Sequence, residues 1–305
     1  MHKRLDAINY NSLIKSNVQV IKEMESGIMN MLVNNKRKEL TALFNLYERQ
    51  PDSLISIMEE MKKYITSKGE ETYKNKEISM DPVKFITALI IFKNDNDSLV
   101  SECFKNNYRI LDCKSKAFSH FMSKEHYAKQ LASYTDWYFK AGIKGKVDDQ
   151  IEEDLNNIIN IFRCINNKLV FQLEYVKKLS ERMLNKKSLN EYAEKTIVSK
   201  FKADQGVGYV SRMSNIFEDL EKSVSLIDRF RLQKHKGYIA GINFNCQILQ
   251  NGAWEVDRMR EFNLDISKLS PQRLKECKAV WESFYNEIHN AHKLIWVYGG
   301  VSILI

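Results

Sequence analysis

The chain has 305 residues, 44% of them hydrophobic and 28% charged, a balance that excludes global disorder and supplies enough apolar surface for packed cores. Its net charge of +8 favours acidic partners or a solvated lysine-rich surface. The five cysteines form no C-x-x-C pair, which excludes a disulfide framework or a zinc module and predicts free thiols in a reducing compartment.

Only 3 Pro and 11 Gly interrupt the sequence, so long helices are predicted. Ile14, Val18, Ile21, Met24, Ile28 and Met31-Leu32 recur at helical spacing. Leu40, Leu43-Phe44 and Tyr47 repeat the pattern. Pro51-Asp52-Ser53 then marks a helix start, with Leu54, Ile57-Met58, Met61 and Ile65 as its apolar face and Gly69 as its expected stop. Asp81-Pro82 is a cap and first residue for the next helix, which carries Phe85-Ile86 and Leu89-Ile90. Further helical stripes follow at Leu99 and Cys103-Phe104, at Ala117-Phe118 and Phe121, and at Leu155, Ile158-Ile159 and Phe162. The longest of them runs through Met213, Ile216-Phe217, Leu220, Val224, Ile227 and Phe230.

Near residue 238 the period changes. Phe244, Cys246 and Ile248 alternate with Asn245 and Gln247, as in a half-buried strand. Gln250-Asn251-Gly252 reads as a turn. Ser270-Pro271 opens a helix carrying Leu274, Cys277, Trp281, Phe284 and Ile288. Leu294 to Tyr298 is apolar on both faces, the pattern of a covered strand, with Gly299-Gly300 as a hairpin turn into Val301–Ile305. The expected fold class is mostly α: packed helices to about residue 237, then a small C-terminal α/β unit.

Chemistry-bearing motifs are few. The sequence has no P-loop, G-x-S-x-G or H-E-x-x-H, and Gly206-Val207-Gly208 lies between helical patterns and not after a strand. His120 and His126 belong to no metal-ligand pattern, so no metal, cofactor or catalytic residue is assigned. The opening Met1-His2-Lys3-Arg4 runs into polar sequence, and the apolar stretch 85–92 is too short for a bilayer, so a soluble intracellular protein is predicted. A basic nucleic-acid-binding protein would need a lysine stripe on one face. Here lysines are dispersed among acids, as in Glu59-Glu60 beside Lys62-Lys63.

The block from Asn167 to Ser223 resembles the signature of the cullins, scaffold subunits of multisubunit RING-type ubiquitin ligases. It carries Val170-Phe171, Tyr175, Leu179, Arg182-Met183-Leu184, Ser188, Ala193-Glu194, Lys200, Gly206, Met213 and Phe217-Glu218-Asp219. The resemblance extends in order along the chain, through Leu43–Glu71, His126–Gly142, Phe244–Trp254 and Phe284–Trp296. Departures stand at Gln205, Glu255 and His292, where the family has Cys, Pro and Arg.

The resemblance implies cullin-repeat helices over 1–125, a four-helix bundle over 126–237 and an incomplete α/β unit over 238–305. It implies a non-catalytic scaffold of the cytoplasm and nucleus that docks a RING-box protein and positions a ubiquitin-conjugating enzyme. The substrate adaptor would bind only through repeats missing from this chain, with no nucleic acid and no membrane as partner. The RING-box protein would add a strand to the α/β unit at Phe244, Cys246, Ile248, Trp254, Leu294 and Trp296. Lys140, Lys144 and Lys146, around Gly142 and Gly145, would receive the acidic tail of the conjugating enzyme. The alternatives are a cullin-like subunit of the anaphase-promoting complex and the basic helical nucleic-acid binder.

Overall fold

A computed structural model describes residues 24, 27–48, 52–233, 238–239, 242–250, 252–254, 271–289 and 292–296. It divides into two compact units, 1–175 and 176–305.

The first unit is helical throughout its described residues: α1 (Ile28–Val33), α2 (Arg37–Tyr47), α3 (Leu54–Lys74), α4 (Lys76–Ser79), α5 (Pro82–Phe104), α6 (Tyr108–Phe121), α7 (Glu125–Trp137) and α8 (Asp148–Cys164). Short polar caps separate them. Asp81 accepts the Val83 and Lys84 amides at 2.9 and 3.2 Å with Pro82 as the first helical residue, as the sequence predicts. Asn107 caps α6 in the same way through the Arg109 amide at 3.1 Å. The predicted apolar faces at Leu40, Phe44 and Tyr47, at Ile57, Met61 and Ile65, and at Leu155, Ile158 and Phe162 are all buried. The helical face predicted over Ile14, Val18 and Ile21 lies outside the described residues.

Gly69 corrects an expectation. It does not stop a helix, because α3 runs five residues beyond it. Its missing side chain admits the Phe121 ring of α6: a Cβ at this position would lie 2.6 Å from that ring. Phe121 in turn belongs to a continuous aromatic core with Phe118 and Tyr127, at centroid distances of 5.5 and 5.9 Å. The glycine is therefore a packing requirement between two helices, and the helix pays only its propensity cost of about 1 kcal/mol.

The second unit is built on α10 (Glu191–Gln205), α11 (Val207–Gln233) and α12 (Pro271–Ile288), with α9 (Lys168–Leu184) leading into it. No strand occurs in residues 150–230, as the helical period requires. Along α11 the predicted stripe holds at Met213, Ile216, Phe217, Ile227 and Phe230. It fails at Val224, which is 63% exposed, while Ser223 is buried in its place.

The expected α/β sheet is not formed among the described residues. β1 (Tyr238–Ile239) and β2 (Ile242–Asn243) make a two-residue antiparallel pair, with Tyr238 opposite Asn243 and Ile239 opposite Ile242. Phe244–Leu249 and Leu294–Trp296 carry no ladder. Leu294 to Trp296 is not covered on both faces either: Ile295 is 56% exposed between two half-buried neighbours. An apolar run can satisfy one face on a helix, and a ladder needs a neighbouring strand, which these residues do not have among the described residues. The predicted Gly299-Gly300 hairpin and Val301–Ile305 lie outside the described residues.

Candidate docking surfaces

The second unit's core gathers Ile227 and Phe230 of α11, Cys277, Trp281, Phe284 and Tyr285 of α12, and Phe244. Ring centroids lie 5.1 Å apart for Phe230 with Trp281 and with Phe284, and 5.5 Å for Phe244 with Trp281. Cys246, Ile248, Leu294 and Trp296 are half-buried against the same cluster. Asn245 and Gln247 are exposed, so burial alternates along 244–248 as the sequence predicts for a strand. Trp296 donates its indole N–H to Glu282 at 2.7 Å, with Lys278 5.7 Å from its ring. Five of the six residues predicted at the RING-box edge thus share one core. Trp254 is buried and bound elsewhere, to Asp219.

Two residues that the sequence reading assigned no role organise this edge. Asp219 and Ser223, one turn apart on α11, are both buried. Asp219 Oδ2 accepts the Gln250 amide at 2.7 Å and the Trp254 indole N–H at 2.8 Å. Ser223 Oγ accepts the Ile248 amide at 2.7 Å, and its proton faces the carbonyls of Ile248 at 3.1 Å and Asp219 at 2.7 Å. The match is metric: four residues of helix rise about 6 Å, and two residues of extended chain about 6.7 Å. A helix thus takes the place of a neighbouring strand on one side of the segment. Gly252, at φ 97°, turns the chain back so that Trp254 reaches Asp219.

In an extended chain successive residues point their backbone groups to opposite sides. Both groups of Ile248 and the amide of Gln250 face α11, while the Gln250 carbonyl accepts the Ala253 amide at 3.4 Å; by that alternation the groups of Asn245, Gln247 and Leu249 face away. Among the described residues these three have no hydrogen-bond partner. The signal for this arrangement was a pair of polar residues four apart on a helix face otherwise apolar.

The basic connector has a different character. Tyr138–Gly142 is a π-helical turn after α7, closed by the Ile143 amide on the Tyr138 carbonyl at 2.9 Å. Lys140 is paired with Asp136 at 2.7 Å, and Lys146 with Asp154 at 2.5 Å. Asp154 also accepts the Tyr138 hydroxyl at 3.1 Å. Burial first, and the Asp154 charge second, push the Tyr138 phenol far above its usual range. Lys144 is exposed, and no carboxylate pairs with it among the described residues. The three lysines lie on one short segment, yet two of them are locally neutralised.

The thiols are held protonated where they respond to their surroundings. Burial raises Cys113, Cys164 and Cys277, and pushes Cys246 up to about 12. Among the described residues no three His, Cys, Asp or Glu side chains converge as a metal centre, and no helix is long and apolar enough to cross a membrane.

Comparison with known proteins places these features. The cullin alpha solenoid domain matches residues 1–226. Cullin-3A of Arabidopsis thaliana is 24% identical over 296 residues, covering 96% of this chain and 40% of the relative. Cullin-4A of Mus musculus is 28% identical over 276 residues, 90% and 35% of the two chains. Cullin-3 of Dictyostelium discoideum is 25% identical over 297 residues, 96% and 38%. The chain therefore spans about two fifths of the length of these relatives. The ordered helices and the matched domain lead to one assignment: this chain belongs to the cullin family.

Proposed function

We propose that this chain serves as the scaffold of a cullin-RING ubiquitin ligase and takes an extended strand of a RING-box protein along residues 245–249. The observation that carries the reading is the one-sided edge. Asp219 and Ser223 satisfy one side of the 248–250 backbone, and among the described residues nothing pairs with the other side at Asn245, Gln247 and Leu249. An added strand would bond those groups while Phe244, Cys246 and Ile248 stay in the core. In this reading 1–125 are cullin-repeat helices, 126–237 the four-helix bundle and 238–305 the docking unit. The connector at Lys140, Lys144 and Lys146 guides the acidic tail of a conjugating enzyme, with the exposed Lys144 as its leading charge.

Amide exchange with and without a RING-box protein tests the edge. Asn245, Gln247 and Leu249 gain protection on binding, while Ile248 and Gln250 are protected in both states. Asp219→Ala removes the acceptor of two donors, each hydrogen bond to a carboxylate contributing about 1.5–3 kcal/mol. It speeds Gln250 exchange at least about tenfold and weakens RING-box binding. Unchanged exchange at 245, 247 and 249 on saturation with the partner overturns the docking edge.

A further inference from the structure

The loop between α9 and α10 joins the surface to a buried ion pair. Asn185, Lys186, Lys187 and Leu189 are exposed along it, and Ser188 is half-buried among them. Lys186 takes a left-handed backbone at φ 51°, and the Lys187 amide closes α9 on the Arg182 carbonyl at 2.9 Å. From there the chain is irregular as far as Asn190, whose side chain caps α10 through the Ala193 amide at 3.0 Å. The Ser188 hydroxyl turns inward and donates to Glu194 Oε1 at 2.9 Å. That carboxylate is fully buried and holds the Arg182 guanidinium.

We propose that Ser188 is a phosphorylation site for a kinase directed by basic residues, and that the phosphate releases this loop from Glu194. Two observations support it. The first is the setting of the serine. It follows two exposed lysines in an irregular surface segment, which suits the acidic cleft of such a kinase by charge complementarity. Among the described residues neither lysine is paired with a carboxylate.

The second observation is the partner of the hydroxyl. In the transfer, Ser188 Oγ bonds to the γ-phosphorus of a nucleoside triphosphate and the bond to the bridging oxygen breaks. The hydroxyl proton passes to the kinase, and the nucleoside diphosphate leaves. The ester oxygen then has no proton to give Glu194, and the new group brings about 1.5–2 negative charges at pH 7. Beside a buried carboxylate that charge is repelled, with little water to screen it. Arg182 does not absorb it, because Nε and Nη2 face Glu194 and Nη1 faces the Lys178 carbonyl. The phosphate therefore turns outward, where Lys186 and Lys187 supply the opposite charge. The loop thus has two states, Ser188 on Glu194 or phosphoserine on the lysines, and the modification selects the second. None of these residues belongs to the RING-box edge, so the inference does not depend on that reading.

The test has two arms on the 305-residue chain. In the first, the chain is incubated with the catalytic fragment of protein kinase C and Mg-ATP, and the sites are mapped by mass spectrometry. Ser188 takes up phosphate, and the double variant Lys186→Ala, Lys187→Ala is modified there about tenfold more slowly or less. In the second, phosphoserine is installed at position 188 during translation, and amide exchange is followed without any kinase. The Lys187 and Glu194 amides, bonded to the Arg182 and Asn190 carbonyls at 2.9 and 3.2 Å, exchange faster by about tenfold or more. Ile227 and Phe230 are unchanged. Ser188→Ala deletes only the hydroxyl bond and gives a smaller increase, so the difference between the two proteins reads the added charge. Absence of phosphate at Ser188 in the first arm overturns the site. Exchange at 187 and 194 no faster with phosphoserine than in Ser188→Ala overturns the release.

Discussion

Arg182 and Glu194 bond to each other with both side chains fully buried: Nε to Oε1 at 2.5 Å and Nη2 to Oε2 at 2.9 Å. Ser188 adds its hydroxyl to the same Oε1 at 2.9 Å. The fork therefore ties the end of α9 to the start of α10 and to the loop between them. The planar guanidinium matches the carboxylate in a way a lysine could not.

Removing one partner takes from the other, still buried, the counter-charge of this fork. Arg182→Met and Glu194→Leu are each expected to destabilise the second unit by about 3–5 kcal/mol. The double variant loses less than either single one, because an apolar pair of similar volume carries no desolvation cost. Denaturant unfolding of the four proteins of this cycle measures it, and additive losses would contradict a coupled pair.

Gly69→Ala sets two effects against each other. A helix gains about 1 kcal/mol from the added methyl. Overpacking a tight core costs about 1–3 kcal/mol. At 2.6 Å from a Phe121 ring that is only 5% exposed, the clash wins. The net loss is expected near 1 kcal/mol, read from the urea midpoint. Phe121→Leu in the same background should recover part of it.

Asp97 supplies an acid-sensitive contact in the first unit. Burial alone would raise its carboxyl, but hydrogen bonds from Lys114 and Lys93 outweigh that and hold it below the ordinary carboxylate value. A depressed folded pKa contributes stability above the unfolded value of about 3.9, and that stability is lost as pH falls through the folded one. Wild-type stability should therefore drop below about pH 4 by more than that of Asp97→Asn. The variant is weaker at pH 7, because the nearly buried Lys114 loses its carboxylate. Equal pH slopes for the two proteins below pH 4 would remove Asp97 from this role.

At the connector the paired and unpaired lysines should separate. Lys144→Glu slows association with a conjugating enzyme at low salt and leaves stability unchanged. The effect shrinks as salt rises, since exposed charges are screened over roughly 8 Å at physiological ionic strength. Lys146→Glu also lowers stability, because it places a carboxylate beside Asp154. Stopped-flow rates at two ionic strengths, with thermal unfolding as control, distinguish them. An association rate unaffected by Lys144→Glu at low salt would leave the segment as ordinary surface.

Much of this molecule was written locally. Helical spacing placed the buried faces of α2, α3 and α8, and Asp81-Pro82 marked the start of α5, because caps and periodicity act within a few residues. The ordered signature residues identified the family. The alternation at Phe244, Cys246 and Ile248 marked which side chains enter the core.

The pairing of distant groups was decided only in three dimensions. The signature contains Arg182, Ser188 and Glu194, but nothing local says that they meet. Gly69 has the composition of a stop signal, and only the Phe121 ring on another helix shows why it stands inside α3. Period two foretold the alternating burial at 244–248 but not the missing ladder, since the groups that meet this backbone are Asp219 and Ser223 on a helix. Side-chain periodicity records which face is buried. Backbone hydrogen bonds depend on what lies beside the chain, and that is a property of the tertiary structure alone.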